Sequence, residues 1–84
     1  MKIVFHKKFK KAFSCQPKGV QKKFAIVMKK FTEDEFHHSL NNHSLRGEYK
    51  IFRSIDVTGD VRAHYKKENG TVILVNIGTH SQLY

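Results

Sequence analysis

The sequence predicts an α+β domain, a compact arrangement in which an N-terminal strand and two to three helices pack on a twisted antiparallel sheet. Three observations carry that prediction. Apolar residues recur at helical spacing through the N-terminal third, they alternate with period two from Tyr49 onward, and two turn signals, Thr58-Gly59-Asp60 and Asn69-Gly70, punctuate the alternation. With 84 residues the chain is a single domain spanning 1–84, with a modest core.

The elements follow in order. Ile3, Val4 and Phe5 read as an edge or first strand. Phe5, Phe9, Ala12 and Phe13 place a first helix over about 6–14. Pro17 suits the first turn of a second helix. There Val20, Phe24, Val27, Met28 and Phe31 form one apolar stripe, with lysines on the other faces. Thr32 and Glu35 fit a T-x-x-E capping box that starts a short acidic helix ending near Leu40, closed by Asn41 and Asn42. The remainder reads as a three-stranded antiparallel meander, with Thr71 to Ile77 as its buried strand. Strand parity puts Tyr49, Ile51, Ile55, Val57, Val61, Ala63 and Tyr65 under the helices. The opposite face presents Lys50, Phe52, Asp56, Arg62, His64 and Lys66, and a functional site is expected there.

Charge narrows the function. The formal net charge is +9, and ten lysines precede the first acid, Glu33. After that point six cations nearly balance seven acids. Such a one-sided field suits a polyanion, nucleic acid above all, although a Lys-rich helix face also serves solubility alone. Lys22, Lys23, Lys29 and Lys30 are the candidate phosphate contacts. A single cysteine, Cys15, allows no intrachain disulfide and reads as a small buried hydrophobe in a cytoplasmic protein. No signal peptide or membrane-spanning run stands out, so no membrane partner is expected.

Six histidines point to proton transfer. Metal-free RNA cleavage needs a base for the 2′-OH, an acid for the leaving 5′-oxygen and cations for the phosphorane. Histidine, with an unperturbed pKa of about 6.5, serves either proton role. The adjacent pair His37 and His38 lacks the acids or cysteine that would complete a metal site, and neither metal nor cofactor is expected. His43 reads equally as a loop cap or as an acid/base group, and His6 has no evident partner.

His43-Ser44-Leu45-Arg46-Gly47 is an H-x-L-x-G segment, followed at intervals by Tyr49, Arg53, Asp60 and Arg62-Ala63-His64-Tyr65. The chain ends Gly78-Thr79-His80-Ser81-Gln82-Leu83-Tyr84. This ordered set resembles the RelE-superfamily toxins of bacterial toxin–antitoxin modules, the YafQ branch most closely. In that branch an H-x-L-x-G segment precedes a meander and the chain finishes in G-T-H-x-x-L and an aromatic. The motifs cover about residues 40–84; the helical half matches in architecture only.

The resemblance implies a RelE-like compact fold and a metal-independent endoribonuclease that cuts mRNA, usually on the ribosome, through 2′-OH attack to a 2′,3′-cyclic phosphate. A cognate antitoxin is the implied partner, holding a monomeric toxin inactive. Position by position, His43 matches an acid/base histidine, Asp60 the acid after the turn, and His80 the donor to the leaving group. Tyr84 matches a terminal aromatic that stacks on a base or orients the scissile step. Arg62 matches a phosphate-binding arginine and Arg53 a recurrent arginine, whose parity with Ile51 and Ile55 fits a structural role equally well.

Two departures bear on activity. The branch carries a second histidine where this chain has Asp56, and a tryptophan where it has Val61. A carboxylate with reference pKa of about 3.9 is a poor base at neutral pH, and His64 is expected to stand in. Two other readings stay open on the same fold: a ParE-like toxin acting on DNA gyrase, and a degenerate member that only binds antitoxin or RNA.

Overall fold

The computed structural model describes residues 1–84 and is an α+β sandwich of two layers. Strand β1 (Lys2–Phe5) leads into helices α1 (Lys7–Ser14) and α2 (Lys18–Glu33). A 3₁₀ turn, His38–Leu40, then precedes β2 (His43–Ser44) and a second 3₁₀ turn, Gly47–Tyr49. Strands β3 (Arg53–Asp56), β4 (Val61–Glu68) and β5 (Thr71–Thr79) follow, and a single-turn helix α3 (His80–Leu83) closes the chain. No helix is long and apolar enough to cross a membrane.

The sheet has five strands in the order β1-β5-β4-β3-β2, so the expected meander gains a strand on each side. β1 pairs in parallel with β5, which makes the sheet mixed. This is why Thr71–Thr79 can be so apolar: β5 has a neighbour on both edges and helices over one face.

The α2 stripe forms as its spacing predicts. Phe24, Val27 and Phe31 are buried, with Val20 and Met28 partly buried against the same core. They meet Ile55, Ala63, Tyr65, Val72, Leu74 and Ile77 of the sheet. Phe31 meets the Tyr65 ring edge-on at 5.1 Å, and Phe5, Phe9, Phe13 and Phe24 cluster where α1 and α2 meet β1.

Three expectations are overturned. The Thr32–Glu35 capping box does not form, because α2 runs on through Glu33 and the Thr32 hydroxyl donates back to the Lys29 carbonyl at 2.8 Å. Glu35 is drawn instead to distant donors: it accepts the Tyr65 hydroxyl at 2.7 Å and Lys67 Nζ at 2.8 Å. These partners hold its carboxyl below the usual range although burial pushes it up. Charge-assisted bonds across the fold outweigh a local cap. Second, Tyr49, Lys50 and Ile51 lie outside the strand and Ile51 is 62% exposed. The Leu45 N–H donates to the Phe52 carbonyl at 3.0 Å, pinching 46–51 off the sheet as a loop, with Gly47 at φ +67°. Third, Cys15 is exposed at the end of α1.

Candidate active site

The uncovered sheet face carries several of the candidate residues. Register sets His43, Ser54, His64 and Asn76 side by side across β2, β3, β4 and β5. One rung along, Asp56 and Arg62 face Gly78. Asp56, His64, Arg62 and Lys66 therefore share the face their parity predicts.

The C-terminal turn folds back over that face. Gly78 makes this possible: a Cβ there would stand 2.8 Å from Gln82 Oε1 and 2.9 Å from Gln82 Cβ. Thr79 caps α3 in a reciprocal box with Gln82, whose Oε1 accepts the Thr79 N–H at 2.8 Å. The same oxygen accepts from buried Gln16 at 3.3 Å, tying α3 to the end of α1. Neither glutamine is evident as a partner from the sequence, since 66 positions separate them.

This docking gathers the candidates. The Tyr84 hydroxyl and His64 Nε2 are 3.3 Å apart, and the Tyr84 ring centroid lies 4.7 Å from that of His80. His43 Nδ1 is 2.8 Å from the Asn41 carbonyl. A carbonyl only accepts, so Nδ1 carries the hydrogen and the neutral ring offers its Nε2 lone pair outward. The cap and base readings of His43 are thus compatible: one nitrogen anchors the ring and the other is free.

His64 is different. It is 7% exposed, and burial, followed by repulsion from His43 in its protonated form and from Lys8, pushes its pKa down to about 4. That leaves it neutral near pH 7, without a charge to offer phosphate and weak as a base in the place of the missing histidine. Its depressed value has a thermodynamic consequence. The unfolded chain takes up this proton first as pH falls, so the stability contributed by neutral His64 is complete above pH 6.5 and is lost between there and about 4. His64→Gln is expected to flatten that part of the melting-temperature profile; an unchanged slope in thermal melts would remove His64 from it.

Arg62 and Asp56 are mutually engaged. Arg62 Nε lies 2.8 Å from Asp56 Oδ1, an ion pair in which no donor points directly at that buried oxygen. Arg62 Nη1 donates to the Thr58 and Gly59 carbonyls at 3.1 and 3.0 Å, locking the turn and leaving Nη2 for other work. Asp60 is exposed in that turn, and the Val61–Thr79 pairing puts it at the end of the sheet where α3 begins.

The remaining candidates do not join the cluster. Arg53 is on the helix side: Nε donates to Asn42 Oδ1 at 2.8 Å and its guanidinium sits 5.3 Å from the Phe36 ring centre. These are the contacts its structural reading requires. Lys50 projects from the 46–51 loop rather than from the sheet face. Lys22, Lys23 and Lys29 are exposed on α2, with Lys30 half-buried. Lys23 and Lys30 line a second cleft together with Asp56 and the Val57–Gly59 turn.

Beside the histidines lies an open cleft of about 300 Å³ whose walls include Phe52, His64, Lys66, Asn76 and Tyr84. His6 and Lys8 reach it from the start of α1, where His6 caps the helix by accepting the Lys8 N–H at 3.0 Å.

Comparison with known proteins fits this architecture. The family described as a bacterial toxin of type II toxin–antitoxin systems, YafQ, matches residues 1–84. YafQ from E. coli superposes with a TM-score of 0.83 at 20% identity, covering 98% of this chain and 96% of that one. A conserved hypothetical protein from Helicobacter pylori does so at 0.77 with 25% identity, covering 100% and 99%. The chain is also similar to a component of the E. coli DinJ–YafQ toxin–antitoxin complex, at 0.80 and 21% identity, covering 98% and 94%. No curated protein matches the sequence.

Proposed function

Since this chain belongs to the YafQ family of bacterial type II toxin–antitoxin toxins, we propose that it is an endoribonuclease that cuts mRNA on the ribosome without a metal. The observation that carries this reading is that the open sheet face aligns His43 with His64 across β2, β3 and β4, while Tyr84 contacts both His64 and His80. His43 Nε2 takes the 2′-OH proton, the oxygen attacks phosphorus, and His80 protonates the departing 5′-oxygen. The product ends are a 2′,3′-cyclic phosphate and a free 5′-hydroxyl. Lys66 and Lys8 beside the cleft supply positive charge for the phosphorane, with Arg62 Nη2 as a further donor. Asp60 orients the His80 end of the site, and Tyr84 stacks on a base next to the cut. A cognate antitoxin is the partner, as DinJ is in the complex with YafQ.

The test is to add purified protein to translating ribosomes and map new mRNA 5′ ends. Discrete ends that vanish with His43→Ala are expected. Intact mRNA at high protein concentration would return the chain to the gyrase-directed or binding-only readings.

Asp56 holds Arg62 rather than transferring a proton. Asp56→His is accordingly expected to lower cleavage, because an imidazole cannot restore the ion pair. A rate increase near neutral pH, with an added ionisation in the pH–rate profile, would reinstate this position as a proton-transfer site.

The basic helices dock the toxin. Replacing Lys22, Lys23, Lys29 and Lys30 with Gln should weaken ribosome binding and reduce the log–log salt slope by roughly one for each phosphate no longer engaged. The fold should survive, because all four lie off the buried stripe. An unchanged slope would make them a solvated face and nothing more.

A further inference from the structure

We infer that the cleft flanking the histidines is a nucleobase pocket with a preference for guanine, and that Asn76 reads the base. The inference rests on the RNA-cleavage reading above and names the specificity element of that site.

The backbone builds the pocket by a bulge. Tyr65 pairs with Leu74 and His64 pairs with Asn76, so Val75 is an extra residue in β5. Leu74 and Ile77 both remain in the core, three positions apart, while Val75 and Asn76 both line the cleft. Strict alternation would have sent Asn76 into the core. Bulges re-aim side chains in this way, often beside active sites. Asn76 Oδ1 accepts the Ile77 N–H at 2.9 Å, which fixes the amide and leaves Nδ2 without a partner in the chain. The free end of the amide is therefore a donor only.

Three of the other polar side chains around the cleft add donors. His6 Nδ1 accepts the Lys8 N–H, so Nε2 of the neutral ring carries the hydrogen. Lys8 and Lys66 add ammonium groups. Three further side chains there keep lone pairs: His64 and Tyr84 are 3.3 Å apart and engaged with each other, and the Tyr49 hydroxyl can turn to donate or accept. No carboxylate lines the cleft. Phe52 and Tyr49 supply flat apolar walls on which a base can stack, and a volume of about 300 Å³ sits at the lower end of small-ligand sites.

A donor-rimmed pocket selects a base edge made of adjacent acceptors. Guanine presents N7 and O6 side by side, whereas adenine replaces O6 with an amino donor that would face Asn76 Nδ2 and the ammonium groups. Cytosine has adjacent acceptors, N3 and O2, but its amino donor flanks them, and both pyrimidines cover less of the aromatic wall than a purine.

Titration of the full chain with guanosine 5′-monophosphate and adenosine 5′-monophosphate tests this, with binding followed by NMR of the Asn76 side-chain amide and the His64 ring. The shared phosphate cancels, so the difference reports the base. Guanosine monophosphate is expected to bind about tenfold or more tightly. Asn76→Asp keeps an oxygen for the Ile77 N–H but turns the reading atom into an acceptor, and should abolish or invert the preference. Asn76→Ser, shorter and neutral, should bring the two affinities together; circular dichroism establishes that each variant is folded. Equal affinities in the wild type, shifts confined to residues outside the cleft, or a preference untouched in both folded variants would overturn the inference. Binding is measured without cleavage, so the two readings fail separately. Guanine preference without mRNA cutting leaves the pocket and removes the nuclease; cutting without guanine preference does the reverse.

Discussion

His80→Ala is expected to abolish mRNA cleavage, with a loss of ~10²–10⁴-fold, the usual effect of removing a general acid or base. Stability should barely change. His80 is exposed, and the aromatic contact it makes is with Tyr84, itself at the surface. Its backbone carbonyl, which accepts the Tyr84 N–H at 3.0 Å, is untouched by the substitution. The informative readouts are the single-turnover cleavage rate and a thermal melt on the same preparation. A melting temperature that falls along with the rate would mark the ring as a structural member of α3. A rate that stays within a few-fold of wild type would move the leaving-group proton to another group, with Tyr84 as the nearest.

Gly78→Ala is expected to produce the second large effect although it touches no proposed reacting group. The new methyl would stand 2.8 to 2.9 Å from Gln82 atoms. The amide oxygen can swing away, but Gln82 Cβ moves only with the backbone of α3. Lifting α3 carries His80 and Tyr84 with it. Misplacement by about 1 Å costs roughly 10²-fold in rate, so cleavage should fall by about that much. The contact between the Tyr84 hydroxyl and His64 should also open, which the His64 ring resonances would report. Global stability should fall far less than cleavage, because α3 buries little of the core. Full activity with an unchanged Tyr84–His64 contact would show that α3 accommodates the methyl, and that Gly78 is not what seats the C-terminal turn.

Much of the fold was legible in the chain because its signals are local. The α2 stripe needs only the 3.6-residue period and an apolar surface to cover, so Phe24, Val27 and Phe31 fall in the core as their spacing requires. Asn69-Gly70 makes its hairpin because both residues adopt positive φ, 51° and 80°. Strand parity likewise placed Asp56, Arg62, His64 and Lys66 on one face. Where local signals competed with distant partners, the distant partners won. Thr32-x-x-Glu35 has the pattern of a cap, yet Glu35 is held by Tyr65 and Lys67. Tyr49 to Ile51 alternate like a strand, yet the Leu45–Phe52 bond closes them into a loop.

What the sequence alone determined is the inventory and its periodicity: a basic helical half, a sheet with one polar face, histidines at motif spacing, and a glycine ahead of the last turn. Tertiary structure decided which of those groups work together and in what state. Arg53 and His64 show the difference. The sheet turns Arg53 toward Asn42 and Phe36 on the helix side. It sets His64 between His43, Lys8 and Tyr84, where burial and like charge keep the ring neutral. The bulge at Val75 redirects Asn76 from core to cleft with no signature of its own in the residues around it. The reason is physical: period and propensity act over a few neighbouring residues, whereas desolvation, tautomer and register depend on groups brought together from across the chain.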